Sequence, residues 1–315
     1  MKAVILDLES LEDLDLSAIS SQFDQLDSWM ATTAEELPQR LAGYDVVITN
    51  KVKISAEAIQ QASNLKLICV VATGTNNIDL QAASERGIKV ANCVAYGVDS
   101  VVQHVFSMML ALHTNLISYD QAVRNGDWGR ASQFCLLSFP VQELAGRKLG
   151  IIGFGNLGQG VARIAEAFGM EVLVAQRPGG AAQDGRVPLD TLLPQVDVLS
   201  LHCPLTPETA DIIDADAIAR MKPGSFIVNA ARGGVVNEEA LADALRRGHL
   251  AGAATDVLTE EPPRNGNPLL AADIPNLIIT PHSAWGSRQA RERIVAQTAE
   301  NISAFFNGEA IRQVN

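Results

Sequence analysis

The chain has 315 residues, enough for two domains with sizeable cores, and its 47% apolar and 19% charged residues mark it as globular rather than disordered. Thirty-six acidic against 24 basic side chains leave a net charge of −12, which argues against a nucleic-acid surface or an anionic membrane as partner. Cys69, Cys93, Cys135 and Cys203 form no CxxC pair and have no histidine cluster beside them, so neither a metal site nor a disulfide framework is expected.

Short β-type runs alternate with helical stretches nearly from end to end. Val4–Leu8 reads as the first strand, although it carries Asp7. A secretory signal needs a longer apolar core, and no run approaches a membrane span, so a cytoplasmic protein is expected. Val46–Thr49, Leu67–Val71 and Lys89–Asn92 follow as strands, separated by the helix candidates Ala34–Leu41, Ser55–Ala62 and Leu80–Arg86. This alternation predicts right-handed crossovers and a parallel sheet. A long apolar helix, Ser100–Leu116, then breaks the rhythm, and an irregular stretch runs from Asn125 to Pro140.

The alternation restarts at Leu149-Gly150-Ile151-Ile152-Gly153-Phe154-Gly155-Asn156-Leu157-Gly158, followed by a helical pattern from Gly160 to Phe168. A G-x-G-x-x-G turn between strand and helix is a dinucleotide-binding signature. Gly153 allows the tight turn, Gly155 lets the backbone approach a pyrophosphate, and Gly158 lets the helix pack on its strand. The helix N-terminus then offers N–H groups and a positive dipole end to the phosphates. Later strands are Glu171–Ala175, Val196–Leu201, Phe226–Asn229, Ala251–Thr255 and Leu277–Thr280. Pro207 after Thr206, Asp214 and Asn237 mark helix starts between them. Ser287–Phe306 reads as one long amphipathic helix. The fold class is therefore α/β, with two parallel-sheet units and a cleft where a small substrate would lie beside a cofactor.

Three loops after strands carry chemistry. Asn229–Val236 offers Arg232, Asp256–Pro262 offers Glu261, and Pro281–Trp285 offers His282. Reducing a 2-keto acid needs a cation for the carboxylate, a proton donor for the carbonyl oxygen, and a hydride. Arg232 supplies a planar fork. His282 can supply the proton, since imidazole as a group titrates near working pH, and Glu261 can hold its other nitrogen. Taken singly, Arg232 would be a surface arginine, Glu261 a solvated carboxylate and His282 a structural histidine. His104, His113, His202 and His249 carry the structural reading by default, with His104 packing or capping within a helix.

These motifs, with Gly74-Thr75-Asn76-Asn77-Ile78-Asp79, resemble the NAD(P)-dependent D-isomer-specific 2-hydroxyacid dehydrogenases over nearly the whole chain. The resemblance implies two Rossmann-like domains. A dinucleotide-binding domain, residues 98–284, is inserted into a flavodoxin-like substrate domain made of residues 1–97 and 285–315. It implies His282 as acid/base, Glu261, rather than Glu260, as its partner, and Arg232 as substrate clamp. Thr73 and Gly74 would hold the substrate carboxylate through backbone N–H groups. Cofactor contacts are implied at Gly153, Gly155, Asn156, Leu157, Gly158, Gln176, Arg177, Cys203, Pro204, Ala230, Asp256 and His282. A homodimer built on the dinucleotide domain is implied as well.

Asn92–Gly97 and Ser100–His104 look most like the glycerate dehydrogenase or hydroxypyruvate reductase branch. The end at Asn315 disfavours a long phosphoglycerate dehydrogenase. One departure concerns the cofactor. An NAD enzyme places an acidic residue after the second strand of the unit, to bind the ribose diol. Gln176 and Arg177 stand there instead, which favours NADP(H) without excluding NAD(H); Arg177 by itself could equally be a solvated loop residue. Rival readings are a D-lactate-type or formate-type dehydrogenase, and a dinucleotide-sensing, corepressor-like binding protein on the same fold.

Overall fold

All paired strands run parallel, and the strand orders define two doubly wound sheets. The computed structural model describes residues 1–180 and 183–315, which divide into a unit of Met1–Gly97 with Gly286–Asn315 and a unit of Val98–Trp285. Trp285 falls with the second unit, one residue past the expected boundary, because its ring packs against that unit's core.

In the first unit the strands are β1 (Lys2–Ile5), β2 (Gln25–Ser28), β3 (Val46–Thr49), β4 (Leu67–Val70) and β5 (Lys89–Ala91). Their order, β2-β1-β3-β4-β5, is the flavodoxin-like one. The β3 and β4 side chains are buried throughout, as expected for strands covered on both faces. Helices Ala56–Gln61 and Leu80–Glu85 begin at Ser55 and Asp79, whose side chains accept the N–H of Ala58 and Ala82. The helix Arg288–Phe306 closes the unit, started by Ser287 in the same way.

The second unit has seven strands: β6 (Lys148–Ile152), β7 (Glu171–Ala175), β8 (Arg186–Val187), β9 (Val198–Leu201), β10 (Ser225–Asn229), β11 (Leu250–Thr255) and β12 (Leu277–Ile279). The order is β12-β11-β10-β9-β6-β7-β8, so the chain leaves β6 in one direction and returns through β9 on its other side. Side chains alternate between the faces. Leu149, Ile151, Val198, Phe226 and Val228 pack with the helices Val98–Thr114 and Asn156–Ala167. Ile152, Leu199, Leu201 and Ile227 pack with Ala217, Ile218, Leu241 and Leu245 on the other face. Because the sheet is parallel, β6, β7, β9, β10, β11 and β12 all end on the same edge, where ligands bind in such sheets.

Several boundaries differ from the sequence reading. The first strand ends at Ile5, and Asp7 turns away to accept the N–H groups of Asn50 and Lys51. The edge strand β2, Gln-Leu-Asp-Ser, has no apolar run to announce it, and β8 is two residues long. The long apolar helix stops at Thr114, because Asn115 adopts a left-handed φ of +49°; a second helix, Leu116–Arg124, follows. Pro207 begins no helix. Thr209 Oγ1 instead accepts the Thr206 N–H and donates to the Pro204 carbonyl, which closes a turn.

Candidate active site

The glycine turn comes first in the chain. Gly153 has φ +89°, and a Cβ there would lie 2.5 Å from the Cys203 N, so β9 leaves no room for a side chain. A Cβ at Gly158 would stand 2.2 Å from the Gly153 carbonyl oxygen, so the helix starts directly on the turn. Gly155 is different: a Cβ there meets nothing within 4 Å. It caps the Asn156–Ala167 helix without any side-chain bond, leaving the first N–H groups of that helix facing open space. A cavity of about 840 Å³ opens there, lined by Phe154, Gly155, Gln176, Arg177, Cys203 and Pro204 among others. Its size, the bare helix start and the open cradle at Gly155 fit a dinucleotide.

The cavity's wall includes the guanidinium groups of Arg177 and Arg186. Gln176 donates its side-chain amide to the Gly180 carbonyl at 2.9 Å, and Arg177 lines the same wall. Arg186, on the unforeseen β8, lies 4.7 Å above the Phe154 ring and also faces the cavity. Glu208 shares the lining; the Thr206 hydroxyl first, and Arg177 less, hold its carboxyl below the usual range. Burial pushes the Cys203 thiol up to about 11. It pushes the His202 imidazole down to about 4, so that ring is neutral near pH 7. His202 Nε2 lies 2.9 Å from Ser200 Oγ, and its Nδ1 has no hydrogen-bond partner among the described residues.

The ionisable trio comes from the ends of β10, β11 and β12. Asn229 shapes the first loop: its side chain accepts the Ala231 N–H at 3.0 Å and donates to the Arg232 carbonyl at 3.1 Å. Ala230 is buried beneath the turn, while Arg232 is exposed, with Nη1 donating to the Ala231 carbonyl at 2.7 Å. A Cβ on Gly233 would lie 1.9 Å from the Leu258 carbonyl oxygen, so only glycine lets the β10 loop touch the β11 loop. On that second loop the Glu261 carboxylate accepts the Leu258 N–H at 2.8 Å through Oε1. Through Oε2 it meets His282 Nδ1 at 2.6 Å. Glu260 turns aside and pairs with the Asn265 side chain at 2.9 Å. An ionised carboxylate only accepts, so Nδ1 carries the hydrogen and Nε2 of the half-buried imidazole is left to face a reactant.

His282 has a φ of +52°, unusual for a residue with a side chain, and its N–H is held by the Asp256 carbonyl at 2.8 Å. Asp256 itself is 1% exposed. Its carboxylate accepts the Thr280 hydroxyl and the N–H groups of Ser283 and Ala284. His104 does not merely pack within its helix; Nε2 reaches Thr280 Oγ1 at 2.9 Å. Asn229, Gly233, Thr280 and Arg186 were not identifiable as site residues from the motifs. Gly233, Thr280 and Arg186 meet partners distant in the chain, whereas Asn229 bonds within its own turn, the one signal within reach.

Thr73 and Gly74 lie in the first unit, just past the end of β4. The Thr73 hydroxyl donates to the Cys93 carbonyl at 2.9 Å, and the Asn92 side chain donates to the Thr73 carbonyl at 2.8 Å, so the loop is fixed within its own unit. Among the described residues no group of three or more His, Cys, Asp or Glu side chains could hold a metal. No helix among them is long and apolar enough to cross a membrane.

A doubly wound sheet with a phosphate-type glycine turn and a carboxylate–imidazole pair at the same edge defines a nicotinamide-dinucleotide oxidoreductase. Residues 106–284 match the family described as D-isomer specific 2-hydroxyacid dehydrogenase, NAD binding domain. The chain is 42% identical over 308 residues to the glycerate dehydrogenase of Methylorubrum extorquens, covering 98% of this chain and 97% of that one. It is 38% identical over 323 residues to the hydroxypyruvate reductase of Blautia hydrogenotrophica, covering both chains in full. A solved acyclic imino acid reductase in complex with NADPH and D-Arg superposes with a TM-score of 0.88, at 28% identity over the whole of both chains. The chain belongs to the D-isomer-specific 2-hydroxyacid dehydrogenase family.

Proposed function

We propose that this enzyme reversibly reduces hydroxypyruvate to D-glycerate, and glyoxylate to glycolate. What supports the substrate is the 42% identity to a glycerate dehydrogenase over 98% of the chain. What supports the chemistry is the Glu261–His282 pair, with Nδ1 and Oε2 2.6 Å apart. A bound NAD(P)H supplies the hydride to the carbonyl carbon of the keto acid. His282 Nε2 gives its proton to the carbonyl oxygen and is left neutral, with Nδ1–H still on Glu261. That carboxylate keeps the ring aimed during transfer. Arg232 clamps the substrate carboxylate and polarises the carbonyl, and Thr73 and Gly74 have a substrate-binding role through their backbone N–H groups. In the direction of oxidation His282 takes the hydroxyl proton.

The unit Val98–Trp285 takes the dinucleotide role in this reading, and the unit of both chain ends the substrate role. The cofactor is NADP(H) in preference to NAD(H). Gln176 brings no charge against a 2′-phosphate, and Arg177 and Arg186 line the same cavity. The protein works as a homodimer. Leu116, Ile117, Phe134 and Leu137 lie exposed within one stretch of the dinucleotide unit, Phe134 at 91% and Leu137 at 80%. Buried free thiols at Cys69, Cys93 and Cys203 suit a cytoplasmic setting.

A panel of hydroxypyruvate, glyoxylate, pyruvate and formate, run with NADH and with NADPH, tests substrate and cofactor together. Hydroxypyruvate should give the highest kcat/KM, with NADPH ahead of NADH. Preference for pyruvate would replace the substrate by that of a D-lactate-type enzyme. No turnover with any keto acid would favour the dinucleotide-sensing alternative. Light scattering of the eluted protein should give twice the chain mass.

A further inference from the structure

A second imidazole stands behind the loop that carries His282. Asp256 accepts the Thr280 hydroxyl at 2.5 Å and the Ser283 N–H at 2.9 Å on Oδ1, and the Ala284 N–H at 2.9 Å on Oδ2. Its backbone carbonyl accepts the His282 N–H at 2.8 Å. Four bonds to one residue therefore hold the chain on both sides of His282 in its left-handed conformation.

The protons in this network can be assigned. Thr280 has one hydroxyl proton, and a carboxylate only accepts, so that proton points to Asp256. The rival acceptor, Met108 Sδ, is 3.9 Å away and weak. Thr280 Oγ1 can then only accept from His104 Nε2, which lies 2.9 Å from it and 3.5 Å from Asp256 Oδ1. His104 must carry a hydrogen on Nε2. With the hydrogen on Nδ1 alone, two acceptors would compete for the Thr280 proton, and one would be left unsatisfied beside a buried carboxylate.

We propose that His104 is a positioning residue: its Nε2–H fixes the Thr280 hydroxyl, and through it the Asp256 carboxylate and the 280–284 loop that aims His282. The Val98–Thr114 helix that bears His104 packs on the sheet beside β11, so the imidazole is presented from rigid structure rather than from a loop. The inference rests on the reading of His282 as proton donor.

Nitrogen-15 NMR of the histidine rings, with His104 assigned by its loss in H104Q, reads the proton directly. Hydrogen on Nε2 is expected, and a ring protonated on Nδ1 alone overturns the proposal. Kinetics supply the second readout. H104L and T280V should each lower kcat roughly ten- to hundredfold, the scale of a small misplacement of a reacting group, while the KM for hydroxypyruvate moves far less. H104Q, whose amide nitrogen can donate from the same place, and T280S, which keeps the hydroxyl, should stay near the parent. The double variant H104L/T280V should be no worse than the poorer single one, since both act on one line of contacts. Multiplying losses, or an H104Q as impaired as H104L, overturn the proposal. If H104L does not fold, T280V against T280S carries the same contrast. With H282A measured alongside, the two failures separate. An inactive H282A with a fully active H104L overturns this proposal alone, whereas an active H282A overturns the reading of His282 and this proposal with it.

Discussion

The Gly153–Gly158 turn and the Thr280–Ala284 loop follow two strands of one sheet, β6 and β12, yet they are built in opposite ways. The turn is made of backbone within six residues, and it needs side chains to be absent. The loop needs side chains from far along the chain: Asp256 to hold it through its own Thr280, Glu261 to orient its imidazole, His104 behind it. Contiguous backbone can place a phosphate, whereas moving a proton takes groups that only folding can assemble. A change in the turn should therefore show in cofactor binding, and a change in the loop in turnover.

The largest effect is expected at the loop. If His282 is the proton donor, H282A should lower kcat about 10²–10⁴-fold with cofactor affinity nearly intact. Retained turnover would end the assignment. R232A comes next. The KM for the keto acid should rise sharply and kcat should fall as well, as expected of a guanidinium that holds the anion in both ground and transition states. An unaltered KM would count against the clamp.

The glycines sharpen the other half of the contrast. G158A drives a Cβ against the Gly153 carbonyl oxygen, 2.2 Å away, and should cost about 1–3 kcal/mol of stability, seen as a lower Tm of the cofactor-free protein. G155A puts a methyl group into open space, so its Tm should match the parent while its Kd for NADPH rises. Equal affinity in G155A would mean that no phosphate passes over that residue.

The smallest effect is one of pH. Burial lowers the His202 pKa to about 4 from 6.5, and burial lowers that of His113 too. The folded state thus resists protons that the unfolded chain accepts. The resulting stability is complete above pH 6.5 and declines as the pH falls from there towards 4. Tm measured at pH 7 and at pH 5 should show the decline, and H202Q should reduce it. A parent Tm unchanged over that interval would refute the account.

Much of this architecture was legible because its signals are local. Buried strands such as Val46–Thr49 announce themselves through apolar, β-branched runs. Helix starts at Ser55, Asp214 and Asn237 are read from residues that cap the first turn. Where the signal was weak the reading slipped. The edge strand β2 is polar, β8 is two residues long, and Asn115 splits an apolar helix by a left-handed turn that its neighbours do not announce. The pairing of Glu261 rather than Glu260 with the imidazole came from a family likeness. The physical cause is the Leu258 N–H, which holds one oxygen of Glu261 while the other faces His282.

Local signals sufficed for the parallel α/β plan, the glycine turn and the residue types of the candidate trio, because each is a matter of periodicity, glycine spacing or side-chain chemistry within a few positions. Only the tertiary structure decided which oxygen meets which nitrogen, that Gly233 lets two loops touch, and that His104 answers to Thr280. Such contacts join residues tens to more than a hundred positions apart. The packing of helices on a sheet sets their geometry, and no short stretch of chain encodes it.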